Sequence, residues 1–325
     1  MTAYIARRLM SSLLTLLGVA VILFVLFRMM PGDPTAQVIS PALDQAAQAR
    51  LKHAFGLDLP MWQQFFLYLK NMVTLEWGQS FTTGQAVSGL LGHWLLNTLL
   101  LMSAGLILAV VIGTVLGILM ASRRGGALDH VATVVGLVFQ AAPPFVIGIL
   151  LLIGFSYKLE LFPSAGMVAA GTDLGSTWAM ITSVDFLKHL ILPTVTITAI
   201  YLATPMLVMR DSMLEVLGSD FVEFSRAKGL KPSRVLFNHA ARNALLAVVT
   251  VSSLILGFAI GGQIVIETVF SWPGMGKAMV DAALQHDYPV AQAAFFLMAV
   301  VVIAMNLITD LSYSLLDPRI RFGTT

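Results

Sequence analysis

Polar and apolar positions alternate along this chain on a very long scale. Six intervals contain no Asp, Glu, Lys or Arg: from Leu9 to Phe27, between His93 and Arg123, between His130 and Lys158, Leu190 to Met209, Asn243 to Ile266, and Tyr288 to Thr309. Each is about 19 residues or longer, enough to cross the roughly 30 Å of a bilayer core at about 1.5 Å per residue. Backbone groups in lipid must pair within their own segment, so the intervals predict helices, not short alternating barrel strands. The expected architecture is all-α and polytopic, with six transmembrane helices. Pro143 and Pro144 interrupt the third interval and predict a kink or a break.

Two segments between the intervals have a helical pattern of their own. RLKHAFGLDLPMWQQFFLYLKNMV, residues 50–73, reads as one or two amphipathic helices, either an external cap on the bundle or a docking element. Asp220 to Leu245 has helix formers on both sides of Gly229-Leu230-Lys231-Pro232, a pairing that breaks a helix. A short helix, a turn at Gly229 and a second helix after Pro232 are expected, with Ser233 as a candidate cap. Ser225 and Ala227 put small side chains near the turn, where a neighbouring protein can approach the backbone.

Composition agrees with the pattern. Hydrophobic residues make up 58% of the 325 and charged residues 11%, against about 25% charged in an average soluble domain. Mean hydropathy is +0.86. With no cysteine, a disulfide framework and a thiolate metal site are excluded. The first interval has 19 uncharged residues, longer than the roughly 7–15 of a signal peptide, and no A-x-A site follows. It reads as an uncleaved first span.

Charge placement sets the orientation. With the N-terminus inside, Arg7, Arg8, Arg123, Arg124, Arg210, Arg226, Lys228, Lys231, Arg234, Arg242, Arg319 and Arg321 all face the cytoplasm, 12 of the 19 Lys and Arg. Six spans then put both termini and the 220–245 stretch in the cytoplasm. By residues alone, that stretch is a docking helix, a topology-fixing basic loop, or a site for anionic lipid headgroups.

Candidate chemistry is sparse. Glu267 and Asp310 lie at span edges, and Asn306 shares a helix face with Asp310. Polar groups at this depth either pair with neighbouring helices or line a gate or pathway. The F-S-W-P-G-M-G segment predicts a turn near the outer surface, with Trp272 at the interface. Gly113-x-x-x-Gly117 and Gly257-x-x-x-Gly261 predict close helix contacts, within the chain or across a dimer. The six His are scattered, and none falls inside a charge-free interval. No catalytic motif and no metal-ligand spacing appear. Gly276-Lys277 does not form a phosphate loop: Ser271 stands where the first Gly belongs, and Ala278 follows in place of Ser or Thr.

In order along the chain, R-R-L and L-G-V, P-G-D-P (Pro31 to Pro34), F-G-L-D-L-P (Phe55 to Pro60), W-G-Q-S (Trp77 to Ser80), H-L-I-L-P (His189 to Pro193), R-D-S-M-L-E-V-L (Arg210 to Leu217), D-F-V-E-F-S-R-A-K-G-L, H-A-A-R-N-A-L, E-T-V-F-S-W-P-G-M-G (Glu267 to Gly276) and D-P-R-I-R (Asp317 to Arg321) resemble ABC importer permeases of the dipeptide/oligopeptide/nickel type. Glu223 and Gly229 match the E-A-A-x-x-x-G signature. Phe224-Ser225 replace its Ala-Ala, and Ala247 replaces a usual Pro.

The resemblance implies a type I ABC importer permease fold with cytoplasmic termini. Residues 1–93 would hold the first span and an extracytoplasmic segment. Residues 94–316 would form a five-helix permease core with a coupling helix at about 220–232, and 317–325 a cytoplasmic tail. Glu223, Ser225, Ala227 and Gly229 would couple to an ATPase, while Glu267, Asn306 and Asp310 are the candidates for the translocation path or gate. Implied partners are a second permease subunit, two ATP-binding subunits, an extracytoplasmic solute-binding protein and membrane lipids, with no nucleic acid, metal or cofactor. The chain itself would pass short peptides or a related solute such as nickel or glutathione without hydrolysing ATP, in a bacterial inner membrane. An ion-gradient-driven transporter is the rival, and it calls for inverted repeats and mid-span charges. An intramembrane enzyme and a structural scaffold are more distant alternatives.

Overall fold

The computed structural model describes residues 2–29, 59–172, 175–259 and 264–316, with side chains over 6–28, 59–172, 175–255 and 264–309. These residues are helical almost throughout, in the order α1 Thr2–Met29, α2 Met61–Thr74, α3 Val87–Ser122, α4 Ala127–Ala141, α5 Pro144–Leu151 with a π-helical extension Leu152–Lys158, α6 Thr177–Ile181, α7 Val184–Tyr201, α8 Ala203–Leu217, α9 Asp220–Ala227, α10 Pro232–Arg234 continued by π-helical Val235–Ala240, α11 Ala241–Ala259, α12 Ile264–Val269, α13 Met275–Leu284 and α14 Tyr288–Leu316. An isolated antiparallel bridge joins Gln79 to Ala86.

Five helical runs are long and apolar enough to cross a membrane: Ala6–Arg28, Val87–Ser122, Val184–Tyr201, Pro232–Ile255 and Tyr288–Thr309. The third charge-free interval instead becomes a bent pair, Ala127–Ala141 and Pro144–Lys158, meeting at 105°. Ala142 and Pro143 are both extended, with ψ of 138° and 134°. The residue before a proline is pushed out of the helical region, and Pro144 then opens a new helix where its missing N–H is harmless.

Two other boundaries move. The fourth crossing begins at Val184, not Leu190, because Ser183 caps it by accepting from the Phe186 N–H at 3.1 Å. This places His189 inside a candidate span, contrary to the expectation that none would be. It is buried, and its Nδ1–H donates to the Asp185 carbonyl at 2.8 Å. The fifth crossing starts at Pro232, with Lys231 in the cap position and no side-chain cap, so Ser233 does not serve as one.

The chain forms two compact units. One comprises residues 1–98 and 273–307. Here the first and last helices meet through aromatic rings: Phe27 lies 6.2 Å from Tyr288 and 6.1 Å from Phe295. Buried Asp287, just before α14, accepts from Ser80 Oγ at 2.5 Å and from the N–H groups of Phe81 and Thr82 at 3.1 and 3.2 Å. It thereby holds the 78–87 loop to the start of α14. Thr98 Oγ1 accepts from the Met275 N–H at 2.8 Å, capping α13 from another helix.

The other unit comprises residues 99–272 and 308–325. α3 packs closely on α8 along its glycines. A Cβ on Gly113 would meet the Leu202 carbonyl oxygen at 3.0 Å, and one on Gly117 the Met206 carbonyl oxygen at 2.5 Å. The first glycine pair therefore makes an intrachain contact. Gly257 and Gly261 lie outside the residues with described side chains. One apolar cluster joins α3, α7, α12 and the turn after it through Leu101, Leu106, Phe186, Ile197, Ile266, Phe270 and Trp272. A second joins α8, α9 and α11.

Candidate functional site

The turn between α9 and α10 is set by local chemistry. The Lys228 N–H donates to the Phe224 carbonyl at 3.1 Å and the Gly229 N–H to the Arg226 carbonyl at 2.9 Å. Gly229 then reverses the chain at φ +73°, a left-handed conformation that glycine adopts without Cβ strain. Pro232 opens the next helix at its first position.

Packing decides which face of α9 remains open. Val222 is fully buried in a cluster with Met209, Met213, Val235, Ala244 and Val248. Ser225, one turn on, is also buried, and its hydroxyl donates to the Phe221 carbonyl at 2.8 Å. Glu223, Ala227 and Gly229 are exposed. Of the two small residues expected to admit a neighbour, Ala227 alone faces outward; Ser225 is spent on its own helix. The open face also carries Phe221 and Phe224, which are 41% and 62% exposed. Lys228 Nζ sits 4.4 Å from the Phe224 ring centroid, a cation–π contact that fixes both side chains. Phe221 and Phe224 stand i, i+3 apart, on the side away from buried Val222.

An ion pair with a buried carboxylate lies on the helix that precedes α9. Arg210 on α8 donates from Nε to Asp129 Oδ1 at 2.5 Å and from Nη2 to Oδ2 at 2.9 Å. Nη1 donates to Asp211 at 2.8 Å, and the Gly125 N–H donates to Asp129 at 2.9 Å. The Asp129 carboxylate, by hydrogen bonding first, raises the Arg210 guanidinium above its ordinary value, so the arginine stays charged. The bidentate fork ties the α3–α4 loop to the helix that leads into α9.

The three pathway candidates have different local surroundings. Glu267 on α12 is fully buried. Its carbonyl accepts from the Trp272 N–H at 2.8 Å while Ser271, at φ +48°, makes the turn. Trp272 itself has no exposed surface and packs on Phe186 at 5.9 Å between ring centroids. The interfacial position expected for it is corrected: the turn folds the indole inward against α7. Asn306 lies exposed on α14, in the other compact unit from Glu267. The Asp310 side chain falls outside the described residues.

Residues 113–322 match the family model described as "Binding-protein-dependent transport system inner membrane component", and residues 1–102 match the model of the N-terminal part of such membrane components. The oligopeptide transport system permease protein AppB of Bacillus subtilis (strain 168) is 38% identical over 323 residues, covering 99% of this chain and 100% of that protein. The di/tripeptide transport system permease protein DppB of Pseudomonas aeruginosa (strain UCBPP-PA14) is 37% identical, with 99% of each chain covered. The dipeptide transport system permease protein DppB of Escherichia coli (strain K12) is 35% identical with the same coverage. Among solved structures, an inward-facing MetNI methionine ABC transporter aligns with a TM-score of 0.54 at 16% identity, over 70% of this chain and 96% of that one. At that identity the likeness is one of fold.

Proposed function

This chain belongs to the family of binding-protein-dependent transport system inner membrane components, and from that premise we propose that it is a permease subunit of an ATP-driven importer of short peptides. It is a multi-pass protein of the inner membrane with the fold of type I ABC importer permeases. Its part is passage of the solute, and ATP hydrolysis belongs to other subunits of the transporter. The observation that carries the peptide reading is similarity along the whole chain to three permeases of di-, tri- or oligopeptide systems.

The finer assembly is a second permease subunit, two ATP-binding subunits and an extracytoplasmic solute-binding protein. In it, α9 and the Gly229 turn face the cytoplasm and dock on an ATP-binding subunit. Glu223, Ala227 and Gly229 lie on the open surface that such a partner would meet, while Ser225 is buried with its hydroxyl bonded to its own helix. Ligand-driven closure of the ATP-binding subunits would then bias the permease between two arrangements. Asn306, an amide exposed on an apolar helix, is assigned to the path in preference to lipid, where its hydrogen bonds would go unmade. Glu267 and Asp310 are the further gate candidates, Glu267 as a buried group on α12.

The test is reconstitution of the permease pair, ATP-binding subunits and solute-binding protein into liposomes, followed by uptake of a labelled dipeptide. ATP-dependent accumulation supports the assignment. Uptake that survives ATP depletion but collapses with the proton gradient overturns it, as does accumulation of nickel or glutathione without peptide.

A further inference from the structure

α2 is too short to span a membrane, yet the surface it leaves open is aromatic and aliphatic. Its 14 residues rise about 21 Å at 1.5 Å per residue, short of the about 30 Å of a bilayer core. At about 100° per residue, they sort into three faces. Gln64, Tyr68 and Met72 are buried and form the face turned to the rest of the chain. Trp62, Phe66 and Val73 are 63%, 62% and 78% exposed and align in one stripe, with Leu69 between them. Lys70 and Thr74, also exposed, share the third face with Gln63, Asn71 and the 36% exposed Leu67.

The contacts of α2 fix its depth. The Phe24 ring of α1 lies 5.2 Å from Phe65 and 5.6 Å from Tyr68. Phe24 stands one turn, about 6 Å, before Arg28, where the uncharged run of the first candidate span ends. Arg28 turns back over the same ring at 5.5 Å. α2 is therefore held beside the end of a membrane span, at the depth where acyl chains give way to headgroups. A contiguous aromatic stripe facing water at that depth would be costly. Trp and Phe on one side and Lys on the next make the pattern of a helix lying in the plane of the interface.

We propose that α2 is an interfacial helix that binds the lipid surface at the C-terminal end of α1, with Trp62, Phe66, Leu69 and Val73 at the acyl–headgroup boundary and Lys70 reaching the phosphates. The helix anchors the start of the 59–87 segment to the leaflet, so the loop held by Asp287 is referenced to the membrane surface as well as to α14. Long Lys side chains at this depth extend their charge toward the headgroups.

The chain has no cysteine, so single cysteines at positions 62, 66, 70, 73 and 74 can carry a nitroxide in the complete importer. The label is read in liposomes of phosphatidylethanolamine and phosphatidylglycerol by collision with oxygen, which concentrates in lipid, and with a water-soluble nickel chelate. At 62, 66 and 73 we expect strong oxygen collision and loss of chelate collision, and the reverse at 70 and 74. Chelate reaching all five positions alike would mean that the stripe faces water, and the proposal fails. Exclusion of both reagents from 62, 66 and 73 would mean a protein cover, from a second permease, a solute-binding protein or residues 30–58, and the proposal also fails. Dipeptide uptake by the same liposomes reports separately on the transport assignment, and the collision pattern stands or falls without it.

Discussion

Gly229 occupies a left-handed backbone conformation with nothing within 4 Å of where a Cβ would sit. The demand on this residue is thus conformational and not steric. Alanine there costs about 1–2 kcal/mol, a β-branched residue more, while asparagine tolerates the conformation. ATP-driven uptake is expected to rank Gly229→Asn above Gly229→Ala and both above Gly229→Val. Equal uptake in all three variants would show that the turn does not matter to transport. Asp129 makes the opposite kind of demand, since its role is its partner. Removing it leaves Arg210 without its buried carboxylate partner. Asp129→Ala is expected to cost about 3 kcal/mol, the low end for a buried pair because Arg210 is partly exposed. Asp129→Leu combined with Arg210→Met should recover most of that loss, as judged by denaturation of the purified chain in detergent. If the single and double variants unfold alike, the pair is not what holds the α3–α4 loop.

At the scale of elements, α3 and α8 approach so closely that glycine spacing becomes a packing code. Its strength is graded along the helix. A Cβ on Gly117 would strike backbone at 2.5 Å, one on Gly113 would press at 3.0 Å, and one on Gly92 would meet nothing within 4 Å. Gly117→Ala is expected to destabilise by about 1–3 kcal/mol and Gly113→Ala by less. Gly92→Ala should be neutral or stabilising by about 0.5–1 kcal/mol, since alanine lowers the entropy cost of a helical position. Thermal unfolding of the three variants in one detergent measures the order, and an inverted order would mean that the helices separate more readily than their contact implies. The break between α4 and α5 belongs to this scale as well. Two consecutive prolines were legible as an interruption, but a bend of 105° required the two extended residues, Ala142 and Pro143, to act together.

Across the whole molecule, the proposed docking of an ATP-binding subunit rests on one short surface helix. α9 is anchored from within by Val222 and presents Phe221 and Phe224 outward. Large aromatics fixed at an interface centre commonly contribute 2 kcal/mol or more. The variant Phe221→Ala/Phe224→Ala is expected to weaken retention of the ATP-binding subunit about tenfold or more, with little change in the stability of the isolated permease. Co-purification at graded salt and detergent reads the first effect and thermal unfolding the second. Unchanged retention would move the docking surface elsewhere on the chain.

Sequence alone determined the class, the all-helical crossing segments, the helix–turn–helix around Gly229 and Pro232, and the order of motifs that marks the family. These are legible because span length, charge-free runs and turn chemistry are local properties, read residue by residue against the thickness of a bilayer. Tertiary structure alone decided which face of α9 points outward, because the phase of an eight-residue helix is set by Val222 finding its apolar cluster. It buried Ser225 and Trp272, which their sequence positions suggest are at surfaces. It also joined Asp129 to Arg210 across 81 positions, and gathered the first and last spans into one unit. Such pairings depend on which distant segments come to share a neighbourhood, and no local pattern encodes that.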